Sequence, residues 1–555
     1  MNLAAAPWRS AYPPGLAPDV ELAAFPVHEI VDQAAARWGS KAAFRFRDTV
    51  LGYDALAAEV ELCAAAFVRN GIASGSRVAL LLPNTLYHPI TFFGALKAGA
   101  AVVHLSPLDS ERVLAHKLAD SGARVLVTTD IGNLAQRAEA LLRDGAVDKV
   151  IVGEDNAWGP PATAGEAISG EGIVTFTDFV AGAQAERFPA IGLDDLALLQ
   201  YTGGTTGMPK GAMLSHRNLS TAVSSYDLWF NGWGLSRPGK ERVLLFLPLF
   251  HIYALVAVML RTLNNGQELV LHTRFDAETA LAEIEAGATS FPGVPTMWIA
   301  IASVPGFEKR DFSSLRYCAS GGAPLPVEIA RRLRAATGHA ILGGWGMTET
   351  SPAGTNIPID RPDKMATIGV PLPGVHLDIV ALDDPTRVLA QGETGELRVF
   401  GPNVTAGYLN REDETRAAFS EGGLLTGDIG FMDEEGFFTI VDRKKDMILC
   451  GGYNVYPQMI EQAIYEHPDV EEVLVLGVPD GYRGETPKAF LKLKSGAPQL
   501  TIEVLRTFLK SRLGPHELPT LVEIRDALPR TPVGKLSKLQ LKQEEAARQE
   551  PAKAS

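Results

Sequence analysis

The strongest constraint on the fold is an alternation, in the first third of the chain, of helical patterns with short apolar runs. Residues 53–68 are rich in Ala and Leu at helical spacing and run out at Asn70-Gly71. Residues 78–82 form a brief apolar run stopped by Pro83-Asn84, which suits a buried parallel strand. A helical piece (89–96), a strand (101–105), a helix (113–119) and a strand (125–128) follow in turn. This order predicts βαβ units around a parallel sheet, an α/β fold. Residues 156–172, rich in Gly, Ala and Pro without periodicity, read as a surface loop.

The last hundred residues keep a different rhythm. Helical patterns at 457–467 and 501–513 alternate with strand patterns at 473–476, 489–493 and 521–524, which predicts a small α+β unit. The charged run Asp442-Arg443-Lys444-Lys445-Asp446 precedes it, so the expected division is 1–443 and 444–555. The polar tail after Gln543 is expected to fray. At roughly 150 residues per domain, a chain of 555 has room for three or four units. The expected architecture is a large N-terminal region of several subdomains and a small C-terminal domain.

Lys and Arg number 51 against 65 Asp and Glu, a net charge of −14 that argues against a chain built to neutralise nucleic-acid phosphates. A local basic site for a small polyanion is untouched by that balance. The three cysteines, Cys63, Cys318 and Cys450, are far apart and odd in number, which speaks against a disulfide framework or a CxxC metal site and fits a cytoplasmic setting. No export signal is visible: Met1 to Ala6 lacks a positive n-region. The apolar stretch 243–260 contains Pro248 and His251 and is closed by Arg242 and Arg261, so it reads as buried core rather than a membrane span.

The richest segment for chemistry is Tyr201-Thr-Gly-Gly-Thr-Thr-Gly-Met-Pro-Lys210-Gly211. Thr202, Gly203, Gly204, Thr205, Thr206 and Gly207 supply hydroxyls and exposed backbone N–H groups, and Lys210 an ammonium, a set that suits a polyphosphate. It lacks the Walker A glycine spacing. A plain Gly/Thr turn is the competing reading.

The segment resembles the phosphate loop of the adenylate-forming superfamily, which includes acyl-CoA synthetases, firefly luciferase and peptide-synthetase adenylation domains. The family's other motifs follow in order. Gly321-Gly322-Ala323-Pro324 is similar to its adenine-contacting turn, and Gly343-Gly344-Trp345-Gly346-Met347-Thr348-Glu349-Thr350 to its next motif. The resemblance implies that Trp345 stacks on adenine, that Thr348 meets the α-phosphate, and that Glu349, with Thr206, holds Mg²⁺. Family members usually carry tyrosine at the position of Trp345, so a hydroxyl contact is lost there. Thr426-Gly427-Asp428 resembles the ribose-binding element, and Asp442 to Asp446, which includes Lys445, the hinge between domains. Pro529-Arg-Thr-Pro-Val-Gly-Lys535 resembles the segment carrying the catalytic lysine. The match runs from about Val27 to about Lys538.

These residue types suit the chemistry. A carboxylate attacking the α-phosphate of ATP meets electrostatic repulsion, which Lys210, Lys535 and a Glu349-held Mg²⁺ would offset. Asp428 can accept from a ribose diol, and Arg443 can bind the same sugar or the α-phosphate. His251, in Pro248-Leu-Phe-His-Ile-Tyr253, is either a hydrogen-bonded core histidine or, as the resemblance implies, the residue that orients the acid. Gly451-Gly452 is either a tight turn or, by resemblance, the face that meets the pantetheine arm of CoA. Cys318 and Cys450 read as structural thiols.

No carrier domain follows Lys535, and 441–449, 453–457 and 521–526 look most like bacterial long-chain fatty acid–CoA ligases. The resemblance implies formation of acyl-CoA, AMP and pyrophosphate from ATP, a carboxylic acid and CoA. It also implies rotation of a C-terminal lid about Lys445 between the two steps. An acyl pocket is expected from Trp229, Phe230, Leu247, Tyr253, Val294, Met297 and Trp298, with Gly321 and Gly346 at its wall. Chain length is not legible in such a set, and an aryl or alicyclic acid, or a CoA-independent acyl-AMP ligase, stays open. Neither a G-x-S-x-G nucleophile elbow nor a G-x-G-x-x-G dinucleotide fingerprint occurs. Expected partners are small molecules only, with no nucleic acid; peripheral association with the inner membrane face and a homodimer stay open.

Overall fold

The computed structural model describes residues 6–160, 165, 167–184, 187–202, 208–322, 325, 327–450, 453–530 and 536–549. The chain divides into two compact units, one of Met1–His376 with Val399–Leu424, the other of Leu377–Arg398 with Leu425–Ser555.

Among the described residues, two sheets lie wholly within the first unit. In a seven-stranded sheet the order is Ile173–Thr175, Lys149–Gly153, Val125–Thr129, Arg77–Leu80, Ala101–His104, Leu196–Thr202 and Lys210–Ser215. All its pairs are parallel except the last, Leu196–Thr202 against Lys210–Ser215. The βαβ alternation is therefore realised, with helices Tyr87–Lys97 and Glu111–Ser121 as crossovers. Ser110 caps the second by accepting from the Val113 N–H, and Gly122 ends it at φ +66°, a left-handed position that only glycine takes without strain. Leu114 and Leu118 of Glu111–Ser121, with Ala135 and Ala138 of a further helix, Leu134–Arg143, pack on Ala79, Val103, Leu126 and Val150, so one face of each of these two helices covers the sheet.

A nine-stranded sheet has a parallel centre of Ile341–Trp345, Tyr317–Ser320, Ser290–Gly293, Arg242–Leu245, Glu268–Leu271 and Ala42–Phe46, with antiparallel strands at both ends. Segments singled out in the sequence leave the carboxyl ends of parallel strands: residues 203–207 after Leu196–Thr202, Gly321 after Tyr317–Ser320, and Gly346 to Glu349 after Ile341–Trp345. Crevices at such strand ends are where open α/β sheets bind ligands.

The apolar stretch 243–260 becomes strand Arg242–Leu245, a turn, and the buried π-helix Tyr253–Leu260. Among the described residues no helix is long and apolar enough to cross a membrane. Of the stretch 156–172 expected as a loop, the first residues belong to the 3-10 turn Asp155–Trp158, and the described residues after it form no regular element.

In the second unit, helices Pro457–Tyr465 and Ile502–Leu509 lie on strands Val470–Asp480 and Gly484–Leu493 through Ile460, Ile464, Leu505 and Leu509. The tail departs from expectation: Lys538–Gln549 is a helix. Its Leu541 is fully buried among Leu474, Leu476, Phe490 and Leu528, and Lys538 pairs with Glu461 at 2.9 Å. Polar composition pointed to fraying, but one apolar anchor and several ion pairs suffice to dock the last turns.

Candidate active site

Strands Leu196–Thr202 and Lys210–Ser215 bring Thr202 and Lys210 directly opposite one another, so the two ends of the Gly/Thr segment are pinned together. The expected ligands Gly203, Gly204, Thr205, Thr206 and Gly207 lie outside the described residues, as do Ala323, Pro324, Gly451, Gly452 and Lys535. Lys210 forms an ion pair with Glu414 and stands 4.9 Å over the ring of Tyr408. The Tyr408 hydroxyl donates to Oε1 of buried Glu349 at 2.9 Å. Burial and that carboxylate push the Tyr408 phenol well above its usual range. The structure thus brings Lys210 and Glu349 into one cluster, joined by Tyr408.

Thr348 and Glu349 sit in the short 3-10 turn Thr348–Thr350, which is held from two sides. Asn403 Nδ2 donates to the Thr350 and Ala353 carbonyls, both at 2.7 Å, and the Thr405 N–H donates to the Glu349 carbonyl at 2.7 Å. Ser351 leaves the turn at φ +58°, a strained position for a residue with a Cβ. Trp345 is buried at the end of its strand, while Gly344 and Gly346 are exposed. A Cβ on Gly346 would fall 1.5 Å from the Pro352 carbonyl oxygen and one on Gly344 2.5 Å from that of Thr355, so both places require glycine. Gly321 abuts Tyr253, whose Cε1 lies 2.9 Å from where a Cβ would stand; Gly322 follows at φ +82°.

His251 ends the segment Leu247 to Phe250, and its Nδ1 accepts from the Tyr253 N–H at 3.3 Å. A neutral imidazole so placed carries its proton on Nε2. Two buried side chains to which the sequence assigned no functional role hold that segment. Asn84 donates to the Leu247 and His272 carbonyls at 2.9 and 3.1 Å and accepts from the Leu249 N–H at 2.8 Å. Gln200, the residue before Tyr201, donates to the Phe250 carbonyl at 2.9 Å, and its Oε1 meets His104 Nδ1 at 2.9 Å. The pocket residues Trp229, Phe230, Leu247, Val294, Met297 and Trp298 are all buried, and Trp298 spends its indole N–H on the Ala319 carbonyl at 2.8 Å.

In the second unit Asp428 and Arg443 face each other across an antiparallel pair, with Nε 2.5 Å from Oδ1. Asp428 is buried while Arg443 stays half exposed. Gly427, at φ +72°, donates its N–H to Glu396 at 3.0 Å, and Lys444 binds the same carboxylate at 2.7 Å. Lys445 is exposed. Cys63, Cys318 and Cys450 are buried, and burial pushes the Cys318 thiol up to about 12, against a nucleophilic role.

The donor set fits a magnesium ion shared with substrate. Mg²⁺ favours one or two carboxylates completed by phosphate and water over an all-protein cage, and Glu349 offers one buried, oriented carboxylate. A parallel α/β unit that places a lysine, a buried glutamate and glycine-lined turns near its strand ends has the kind of site that nucleotide-using enzymes build. The comparisons make the class specific. The AMP-binding enzyme model matches residues 31–409, and the AMP-binding enzyme C-terminal domain model matches residues 459–535.

The chain is 37% identical to a long-chain-fatty-acid–CoA ligase of Bacillus subtilis (strain 168), covering 97% of this chain and 98% of that one. It is 36% identical to a feruloyl-CoA synthase of Amycolatopsis sp, covering 89% and 94%. Among solved structures, ATP-bound MatB from Rhodopseudomonas palustris superposes with a TM-score of 0.83 at 29% identity, covering 93% and 98%. The chain belongs to the AMP-binding enzyme family. It is an AMP-forming acyl-CoA ligase, an acid–thiol ligase that works with ATP, Mg²⁺ and CoA.

Proposed function

We propose that this ligase activates a medium- or long-chain fatty acid. Similarity to a fatty-acid ligase along nearly the whole chain carries the proposal. The buried apolar residues around Trp229, Phe230, Met297 and Trp298 support it.

In the first step a carboxylate oxygen of the acid attacks the α-phosphorus of ATP, and pyrophosphate departs with the electron pair of the broken P–O bond. Lys210, released from Glu414, stabilises the departing charge together with the Gly203 to Gly207 backbone and Lys535. Glu349 and Thr206 would hold Mg²⁺, which would neutralise phosphate charge. Tyr408 orients the Glu349 carboxylate. Thr348 donates to the α-phosphate; Trp345 and Gly321 to Pro324 flank adenine; Asp428 accepts from the ribose hydroxyls beside Arg443. His251 directs Nε2–H to the acid's carboxylate. In the second step the CoA sulfur attacks the acyl carbon and AMP leaves; a thiol of pKa about 8.5 needs little help to lose its proton. Residues 444–555 act as a lid turning at Lys445, which presents Lys535 for the first step and Gly451-Gly452 for the second.

Lys535→Ala is expected to abolish adenylation and to spare thioester formation from supplied acyl-adenylate; equal loss of both steps would remove this role. A panel of acids from acetate through palmitate to benzoates, followed by pyrophosphate release, tests the substrate. A maximum at octanoate or longer supports the proposal, and a maximum at acetate or a benzoate overturns it. The second reading, an aryl acid, is favoured by the likeness to a feruloyl-CoA synthase. The proposal extends to a homodimer in the cytoplasm that associates peripherally with the inner membrane face, for which sedimentation and vesicle flotation are the tests.

A further inference from the structure

The segment after His251 is a π-helix of eight residues, Tyr253–Leu260. Such turns are rare and concentrate at functional sites. Its first residue, Tyr253, meets Gly321, and the residue that follows its end is Arg261, almost completely buried. The Arg261 side chain folds back along the helix, so that Nε donates to the Ala257 carbonyl at 3.0 Å. This turns the guanidinium towards the Tyr253 end, with its carbon 4.5 Å over the ring of Phe230.

Phe230 in turn packs edge-on against Tyr317 at 4.8 Å and lies 6.3 Å from Tyr226, and the Tyr226 hydroxyl reaches the Pro352 carbonyl at 3.4 Å. Phe230, one of the side chains expected to form the acyl pocket, thus links the buried guanidinium to Tyr317 and Tyr226, and through Tyr226 to the loop after Glu349. Among the described residues, the guanidinium's single hydrogen bond is that to Ala257. Four of its five N–H donors are unspent.

The nearest balancing charge, Asp227, is engaged elsewhere: Asn264 and Asn265 donate to its two oxygens at 2.7 and 2.6 Å. It acts on Arg261 through space and favours the charged guanidinium, against the effect of burial. A planar, enclosed donor of this kind recognises an oxygen acceptor. With Asp227 already supplying negative charge, a neutral oxygen fits better than a second carboxylate.

Resting on the ligase reading and narrowing it, we propose that Arg261 is a specificity-determining residue that receives a neutral oxygen at the far end of the acid, so that preferred substrates are carboxylic acids with a distal hydroxyl, phenol or ether. A site built to hydrogen-bond a substrate oxygen discriminates against the analogue that lacks it.

The test compares kcat/KM for matched acids in acyl-CoA formation by the full chain: 8-hydroxyoctanoate against octanoate, 4-hydroxycinnamate against cinnamate, and suberate as the anionic arm. Wild type is expected to favour the hydroxylated member of at least one pair by about tenfold or more. Arg261→Met keeps the stem and removes the donors. It should bring that ratio close to one while octanoate turnover holds or rises, and Arg261→Lys should keep part of the preference. Suberate preferred to 8-hydroxyoctanoate overturns the neutral-oxygen assignment. Turnover of octanoate and cinnamate with no advantage for the hydroxylated acids in wild type overturns the inference alone, even if neither variant folds. Absence of acyl-CoA from every acid overturns the ligase reading and this inference with it.

Discussion

Replacing Asn84 should destabilise the first unit severely, because this one buried amide completes three backbone groups of other segments. Asn84→Ala strands the Leu247 and His272 carbonyls and the Leu249 N–H, now bonded at 2.9, 3.1 and 2.8 Å. A buried polar group left unpaired costs about 1–3 kcal/mol, so partial relief by water still leaves roughly 3–5 kcal/mol. Substitutions free of such consequences stay within about 0.5 kcal/mol. Asn84→Asp sharpens the test: it can still accept from Leu249 N–H, but it faces two carbonyls with oxygen instead of N–H, so it should be at least as harmful as alanine. The assay is urea unfolding followed by tryptophan fluorescence. All seven tryptophans, from Trp8 to Trp345, fall within the first unit, so the signal reports that unit alone. The segment that Asn84 holds leads to His251, so the surviving folded fraction should also show a raised KM for the acid. An alanine variant within about 1 kcal/mol of wild type, or an aspartate variant as stable as wild type, would refute the reasoning.

Glu414→Gln frees Lys210 from a half-exposed ion pair, and KM for ATP should fall by roughly two- to fivefold, the worth of such a pair; a rise would contradict the partner exchange at Lys210. His88 is fully buried beside His104, and burial holds its imidazole neutral well below the usual range. As pH falls through about 6.5 the unfolded chain takes up a proton that the folded one refuses, so stability is lost on the acid side. His88→Phe should flatten that loss by about 1.4 kcal/mol per pH unit in urea midpoints measured from pH 6 downward; an unchanged slope contradicts it. Leu541→Ala should cost about 2–5 kcal/mol and raise hydrogen exchange in strands Val470–Asp480 and Gly484–Leu493; unchanged exchange would mean that the terminal helix does not dock.

Strand and helix periodicities are local, and so the parallel sheet, the crossovers and the α+β unit were legible from composition at short range. The order of the motifs was enough for the family; the roles of Lys210, Glu349, His251, Asp428 and Arg443 are proposals that rest on it. Partners that meet across long separations were not legible. Asn84 and the Leu247 carbonyl are 163 positions apart, and Tyr408 and Glu349 are 59 apart, with no periodicity to mark either pair. Pro83-Asn84 reads simply as the end of a strand, although an amide there is well suited to bridging chain segments. The ion pair of Lys210 with Glu414 and the docking of Leu541 escape for the same reason: each depends on how remote segments pack. The π-helix was hidden by an apolar stretch without amphipathic contrast, in which a buried helix of any pitch looks alike.

The most direct test of the account is product analysis of the full chain with ATP, Mg²⁺, CoA and octanoate or palmitate. Octanoyl- or palmitoyl-CoA, AMP and pyrophosphate should accumulate in equal amounts, with no thioester when ATP is withheld. AMP without thioester, or ADP and phosphate in place of AMP and pyrophosphate, would contradict it.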